Sequence, residues 1–190
     1  MKMTTINLRK MALCILATAG LAGVAQADID LDYTYMGTYG NHEYWVTDLE
    51  LEYYDAHEAA IAFGDSVGQE AYLASVTSQA ESDWIQSNSL DLLWIGLNDL
   101  DMDGIWTWDS GEAFDWTDWA PGEPNENWGD ENVVVMNWIV EEDGTTTYGW
   151  NDWKDQDRFA QALIEVVIPA PGAVALLGLA GLGWRRRRRD

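Results

Sequence analysis

The residues with the clearest chemical meaning lie in two short stretches, Glu123-Pro124-Asn125 and Trp150-Asn151-Asp152, with Glu131 between them. Together they offer three carboxylates and two primary amides, and no basic residue lies between Glu123 and Asp152. Oxygen ligands of this kind suit Ca²⁺, a hard cation that takes roughly six to eight oxygens, better than a transition metal. An Asn can give its carbonyl oxygen to the ion while its NH₂ group donates a hydrogen bond. A sugar hydroxyl could then meet the ion, accept from an Asn and donate to a carboxylate, so the pattern predicts a calcium site suited to vicinal hydroxyls.

A second acidic run, Asn98 to Gly104, contains Asp99, Asp101 and Asp103. Its opening matches the first half of an EF-hand calcium loop, a match that is a frequent false positive. The bidentate ligand at the end of such a loop would fall on Ser110, which carries no carboxylate. An EF-hand is therefore the weaker interpretation of this run.

The motifs are embedded in a longer pattern. Tyr72 to Val76 is followed by Ser78 to Glu81, then by Trp94-Ile95-Gly96-Leu97 and by Trp106-Thr107-Trp108. With Glu131 eight positions after Glu123, this order resembles the C-type lectin family from about Tyr44 to Val167. The resemblance implies an α+β fold in which two helices flank small antiparallel sheets and a long loop binds calcium.

The resemblance also implies a ligand set, carried over residue by residue. The primary Ca²⁺ and the sugar would share the side chains of Glu123, Asn125, Glu131, Asn151 and Asp152, with the Asp152 backbone carbonyl as a further ligand. Pro124 would be cis, although only about 5–6% of X-Pro bonds are. The Glu-Pro-Asn order implies mannose-, glucose- or fucose-like specificity, and Trp128 is a candidate to stack on the sugar ring, although a role in the loop core is at least as well supported.

An auxiliary Ca²⁺ would be held by Asp99, Asp103, Glu126 and Asn132 together with Glu131. Asn132 stands where the family usually has Asp, so this second site loses one negative charge. Cysteine content is a further departure, because the sole cysteine, Cys14, lies near the N-terminus. Val133 and Ile164 stand where the family's cysteines normally sit, so apolar burial and calcium must replace the missing disulfide.

Both ends of the chain have the composition of targeting signals. Residues 1–27 combine Lys2, Arg9 and Lys10 with an apolar run and end in Ala25-Gln26-Ala27, which predicts a secretory signal peptide cleaved after Ala27. An uncleaved membrane anchor is the weaker alternative, because the apolar run is short for a bilayer span.

The C-terminal segment 169–190 joins Pro169-Ala170-Pro171 to an apolar stretch and five arginines from Arg185 to Arg189. It resembles the PEP-CTERM sorting signal, although Ala170 replaces the usual Glu. The resemblance implies processing near Pro169 by an exosortase-type enzyme after transient inner-membrane anchoring. The protein would then reach the cell surface or exterior of a Gram-negative-type bacterium. A plain C-terminal membrane anchor is the alternative.

Between these segments, residues 28–168 are long enough for one domain with a real core. Only Lys154 and Arg158 are basic there, against 32 acidic residues, which gives a formal charge of −30. Such a surface repels nucleic acid and anionic membranes, and a saline habitat would favour it independently of function. We predict no enzyme, because the conspicuous carboxylates are spaced as metal ligands and no Ser–His triad or mature Cys nucleophile is evident.

Local patterns predict the elements that position the site. Tyr33 to Tyr39 and Glu43 to Val46 alternate around Gly40-Asn41 as a hairpin. Tyr54 to Phe63 has helical spacing, and Ser78 with Glu81 forms a capping box for a second helix that buries Ala80, Trp84 and Ile85. Further strands are predicted at 92–97, 133–138, 148–150 and 163–168. The remaining stretch, 98–132, is too long to be an ordinary connection and is usually functional at this length.

The sequence thus predicts an exported, calcium-dependent lectin whose partners are glycans or extracellular polysaccharide. The alternative is a calcium-stabilised adhesin or extracellular matrix protein that uses the same fold to bind proteins without recognising sugar.

Overall fold

The elements are taken from a computed structural model that describes residues 11–13, 29–127, 129–142 and 144–168. Within those residues the helices are α1 (Tyr53–Val67) and α2 (Gln79–Asn88). The strands are β1 (Met11–Leu13), β2 (Ile29–Leu31), β3 (Tyr33–Tyr39), β4 (His42–Leu51), β5 (Ala71–Leu73), β6 (Leu93–Asn98), β7 (Thr107–Trp108), β8 (Val133–Glu142), β9 (Thr145–Trp153) and β10 (Ala160–Val167). No helix in the described part is long and apolar enough to cross a membrane.

The strands other than β1 and β2 form one sheet, in the order β3-β4-β10-β6-β8-β9, with β5 added to β10 and β7 to β6. The predicted fold is confirmed, but the expected small antiparallel sheets are joined into one mixed sheet because β10 pairs parallel with β6. The last strand also lies antiparallel to β4, from Ala160 opposite Leu51 to Val167 opposite His42. Because β3 and β10 are both antiparallel to β4, they run parallel to each other, so the start of β3 and the end of β10 lie at opposite ends of these strands.

Helix α1 confirms the helix predicted over Tyr54 to Phe63, and it buries Ala56, Ala60 and Phe63 on one face. Helix α2 begins where the capping box predicts, and the Ser78 hydroxyl accepts the Glu81 backbone N–H at 3.3 Å. The other half of the box differs, because the Glu81 carboxylate accepts the Thr77 N–H at 2.9 Å instead of the Ser78 N–H. The prediction that Ala80 is buried is wrong, because Ala80 is exposed and Glu81 is buried instead. A carboxylate tolerates that position only because hydroxyl and amide donors surround it.

The core has two halves, one on each face of the sheet. Along β8, Val133 and Val135 belong to the half that packs on α1, whereas Val134 and Met136 belong to the half that contains Ile85 of α2. This alternation follows from the two-residue period of a strand. Val133 and Ile164, at the expected cysteine positions, are both fully buried in the α1 half. Apolar packing therefore occupies the place that a disulfide would take.

The long loop between β7 and β8 is fastened to β9 around the fully buried Trp150. Trp150 donates its backbone N–H to the Asp118 carbonyl at 2.7 Å, and its own carbonyl accepts from Ala120 at 2.9 Å. The rings of Trp108, Trp116 and Trp119 lie edge-on to the Trp150 ring, with centroids 5.3–5.8 Å away. This docking fixes the loop residues that follow Ala120 beside the end of β9.

Candidate functional site

The predicted sugar-binding side chains converge on one cleft of about 250 Å³. Glu123 and Asn125 reach it from the long loop, Glu131 from the residues just before β8, and Asn151 from β9. Glu131 and Asn151 are buried, with only 2% and 7% of their surface exposed. The cleft therefore collects four of the five predicted primary ligands at one place, although they are separated by up to 28 positions in the chain.

Glu123 and Asn151 form the pairing that the amide chemistry predicts. Asn151 Nδ2 donates to Glu123 Oε1 at 3.1 Å, which leaves the amide oxygen of Asn151 available for another partner. The second oxygen, Glu123 Oε2, is buried without a hydrogen-bond partner. The peptide bond between Glu123 and Pro124 is cis, which confirms that prediction.

Charge is concentrated around Glu123. The pKa of Glu123 is raised to about 7, chiefly by burial and also by a hydrogen bond to Asp152 and the charges of Asp152 and Glu131. The residues that line the cleft include one basic side chain, Arg158, beside the carboxylates of Glu123 and Glu131. A buried, partnerless carboxylate oxygen among like charges is the environment that a divalent cation stabilises.

Asp152, the fifth predicted ligand, has a different position from the other four. It is fully buried, and its carboxylate accepts the backbone N–H of Asn125 at 3.0 and 3.1 Å and that of Glu126 at 3.0 Å. The Asn125 side-chain oxygen in turn accepts the Asn127 backbone N–H at 2.8 Å. Asp152 thus holds the backbone of the Glu-Pro-Asn loop from below, in addition to any role as a ligand.

A second cluster brings Asp99, Asp103 and Glu126 together, with one carboxylate oxygen of each within 4.8 Å of the others. Asp99 Oδ2 accepts the Gly104 backbone N–H at 2.7 Å, whereas Asp99 Oδ1 is buried without a partner. Burial raises the pKa of Asp99, and the charges of Asp103 and Asp152 raise it further. Asn132, the fourth predicted auxiliary ligand, accepts the Asp99 backbone N–H through its own backbone carbonyl at 3.1 Å.

The geometry favours the auxiliary-site interpretation of this cluster over an EF-hand. Ser110, which would complete an EF-hand, instead contacts the Ser75 hydroxyl at 2.7 Å. Both acidic clusters consist of carboxylate, amide and backbone oxygens, and each contains a buried carboxylate oxygen that lacks a partner. The residues therefore fit a hard, oxygen-seeking cation such as Ca²⁺.

Four cleft residues were not predicted from the sequence: Asn127, Trp138, Trp153 and Arg158. Trp153 is only half-buried and forms part of the cleft wall. One sequence feature could have identified Trp153 as a site residue: it directly follows the predicted ligands Asn151 and Asp152 on the same strand. Trp128, the predicted stacking residue, lies outside the described residues, as do the processing positions Ala27 and Pro169.

A third polar cluster, which was also not predicted, lies at the other end of β10. Glu165 is 3% exposed and accepts the Ser75 backbone N–H at 2.9 Å, while its other oxygen contacts the ring of His42. Tyr44 donates its hydroxyl to the buried Glu81 at 2.5 Å. Burial raises the pKa of Glu165 to about 8, and the charge of Glu81 contributes. The sequence feature that could have revealed this cluster is Glu165 itself, a single carboxylate in the otherwise apolar end of the last strand.

Comparison with known proteins agrees with this architecture. A family profile described as the lectin C-type domain matches residues 65–160. The chain is 37% identical over 115 residues to lectin BRA-3 of Megabalanus rosa, a match that covers 60% of this chain and 65% of that protein. It therefore spans just under two thirds of the length of that relative.

Two solved structures share the fold. The C-type lectin CEL-I from Cucumaria echinata superposes with a TM-score of 0.59 at 22% identity, covering 75% of this chain and 99% of the other. The C-type lectin domain of murine dendritic cell inhibitory receptor 2, in complex with an N-glycan, superposes with a TM-score of 0.56 at 26% identity over the same shares.

Proposed function

The chain belongs to the C-type lectin domain family, and we propose that it is a calcium-dependent lectin for mannose-, glucose- or fucose-like sugars. The homologues support carbohydrate binding as the general activity. The observation that carries the finer proposal is the cleft itself, in which Asn151 donates to Glu123 while Glu123 Oε2 is buried without a partner. A paired amide and carboxylate of this kind present one donor and one acceptor to a sugar hydroxyl.

The side chains divide the work of binding. Glu123, Asn125, Glu131, Asn151 and Asp152 would hold the primary Ca²⁺, and Asp99, Asp103, Glu126 and Asn132 the auxiliary ion. Bound Ca²⁺ would neutralise the carboxylates and accept lone pairs from two sugar hydroxyls. Each hydroxyl would then donate to Glu123 or Glu131 and accept from the NH₂ group of Asn125 or Asn151. Asp152 fixes the spacing, because its carboxylate binds the loop backbone at Asn125 and Glu126.

The test is a glycan array probed with the purified protein in millimolar Ca²⁺ and again in EDTA. We expect signal on mannose-, glucose- or fucose-type glycans in Ca²⁺ and none in EDTA. The double variant Glu123→Gln with Asn125→Asp keeps the net charge but reverses the donor and acceptor positions. We expect it to retain Ca²⁺ affinity by calorimetry and to lose mannose-type binding. A blank array from calcium-loaded wild-type protein would refute sugar binding and favour the alternative, a calcium-stabilised adhesin or matrix protein.

We also propose that the protein is exported and released or displayed at the cell surface of a Gram-negative-type bacterium. The support is the composition of residues 1–27 and 169–190, and the cleavage positions Ala27 and Pro169 lie outside the described residues. An exosortase-type enzyme would remove the C-terminal segment after transient membrane anchoring. Mass spectrometry of protein recovered from native cells should find an N-terminus at Asp28 and no Arg185–Arg189. Intact termini would contradict the proposal.

A further inference from the structure

We propose that the cleft extends past the predicted calcium ligands into a second subsite that takes the neighbouring ring of an acidic oligosaccharide, such as a uronic acid. This subsite consists of Trp138, Trp153 and Arg158, which share one cleft with Glu123 and Asn151. The inference rests on the proposed function and specifies its substrate class: a sugar chain with a neutral ring on the calcium side and a carboxylate-bearing ring beside it.

The aromatic part of the subsite is rigidly supported. The Trp153 ring lies edge-on to the fully buried Trp94, with centroids 5.6 Å apart and an interplanar angle of 80°. Trp138 packs edge-on to Trp153 from the other strand of the β8–β9 hairpin, at 5.7 Å and 76°. Both Trp138 and Trp153 are only half-buried, so each leaves indole surface facing the cleft. Apolar ring surface next to polar hydroxyl partners suits the C–H face of a pyranose.

The cation in the subsite is unusual in this domain. Residues 28–168 contain two basic side chains, Lys154 and Arg158, against 32 acidic ones. Arg158 lines the cleft, and its guanidinium carbon lies 5.4 Å from the centre of the Trp153 ring. Lys154 does not line the cleft but lies against Gly129. A guanidinium carries five N–H donors in a planar fork, so it can lie over an indole and still bind a carboxylate through two parallel hydrogen bonds.

The strongly acidic surface does not exclude an anionic ligand at this place. At physiological ionic strength the Debye length is about 8 Å, so carboxylates farther away than this are largely screened from a group bound in the cleft. Glu123 and Glu131 line the cleft itself, and the bound Ca²⁺ of the proposed function would neutralise them. A direct contact with Arg158 is screened much less, because it is partly enclosed. The distant charges therefore slow the approach of a polyanion, whereas the contact with Arg158 decides which ring is preferred once the chain is bound.

The test compares three probes by calorimetry in millimolar Ca²⁺: α-methyl mannoside, mannosyl-glucose, and mannosyl-glucuronic acid with the same linkage. The two disaccharides differ only in a carboxylate at C6 of the second ring. We expect the acidic disaccharide to bind about threefold to tenfold more tightly than the neutral one, the range of a partly exposed charge-assisted hydrogen bond. The ratio should fall towards one in molar NaCl.

Two variants separate charge from aromatic contact. Arg158→Gln should bring the ratio of the two disaccharides to about one while α-methyl mannoside affinity changes less than about twofold. The matched control Lys154→Gln should leave the ratio unchanged. Trp138→Leu should weaken both disaccharides towards the affinity of the monosaccharide, because it removes ring contact rather than charge.

The failures are distinguishable. If α-methyl mannoside binds in a calcium-dependent way but the wild-type ratio is one, this inference is overturned and the proposed function stands. A ratio that survives Arg158→Gln also overturns it. If none of the three probes binds to protein shown to be calcium-loaded, the proposed function fails and this inference fails with it.

Discussion

Replacing Glu123 with Gln should have opposite effects on stability with and without calcium. In the metal-free protein, Glu123 carries a buried, partnerless oxygen near Asp152 and Glu131, and its pKa is raised from 4.5 to about 7. Because the folded state then holds a proton that the unfolded chain has released, stability falls as pH rises from 4.5 to 7. Gln removes this penalty, so Glu123→Gln should stabilise the metal-free protein above pH 7 and be close to neutral near pH 4.5.

The size of the gain follows from the shift. At about 1.4 kcal/mol per pH unit, the shift of Glu123 sets an upper limit of about 3.5 kcal/mol. Because the side chain is partly open to solvent, screening reduces this to about 1–2 kcal/mol. For a domain of this length that corresponds to a rise in Tm of roughly 3–8 °C. In calcium the sign should reverse, because the wild type gains about 2.7 kcal/mol when Ca²⁺ is at 100 times its Kd, and the variant loses most of that gain.

The assay is thermal unfolding of wild type and Glu123→Gln at pH 8 and pH 5, each in EDTA and in millimolar Ca²⁺. The exposed carboxylate Glu58 on α1 supplies a matched control, since Glu58→Gln lies away from the cluster and should change Tm little in any condition. If Glu123→Gln is destabilised in EDTA at pH 8, Glu123 does not destabilise the metal-free protein. If the variant is stabilised in both EDTA and Ca²⁺, Glu123 is not a Ca²⁺ ligand. Either result would refute the reasoning.

Three further predictions test the parts that hold the site. In EDTA, Glu165→Gln should be close to neutral near pH 4.5 and increasingly stabilising up to pH 8, because the pKa of Glu165 is raised to about 8; a difference that does not vary with pH would contradict this. Trp150→Ala should lower the free energy of unfolding by about 3–5 kcal/mol in urea titrations, since Trp150 is fully buried at the centre of the loop cluster, and a loss below about 1 kcal/mol would show that the loop is not anchored there. Asp152→Asn should speed hydrogen exchange at the Asn125 and Glu126 amides about tenfold relative to the β8 amides, because one carboxylate acceptor is replaced by an amide NH₂, whereas unchanged exchange would mean that Asp152 does not hold the loop.

The regular elements could be predicted because their patterns are local. The structure confirms the hairpin around Gly40-Asn41, the first helix and the helix start capped by Ser78, each of which needs only neighbouring residues. Ala80 was placed wrongly because helical spacing alone cannot distinguish a buried Ala from a buried Glu. The donors that make Glu81 tolerable come from Tyr44, 37 positions earlier, and from Thr77.

The candidate site was predictable only as a set of ligand types. The motif residues and the cis bond at Pro124 follow from the sequence and its resemblance, and the structure brings Glu123, Asn125, Glu131 and Asn151 to one cleft. Arg158 was not predictable, because it lies in the loop between β9 and β10, which has no motif, and it lines the cleft only because that loop places its guanidinium over the Trp153 ring. The contact of the Asp152 carboxylate with the backbone N–H groups of Asn125 and Glu126 was not predictable either, because it depends on how the loop packs against β9.

The sequence by itself determined the chemistry of this protein: the carboxylate and amide groups of the site, their order, and the excess of acidic over basic residues. It also determined the alternation of side chains along the strands. These properties depend on residue type and short spacing, which the chain carries without folding. Tertiary structure decided which of these groups meet, because the contacts between Trp150 and the loop, Asn151 and Glu123, and Arg158 and Trp153 depend on how distant segments pack. It therefore decided that the predicted calcium ligands share one cleft with two tryptophans and Arg158.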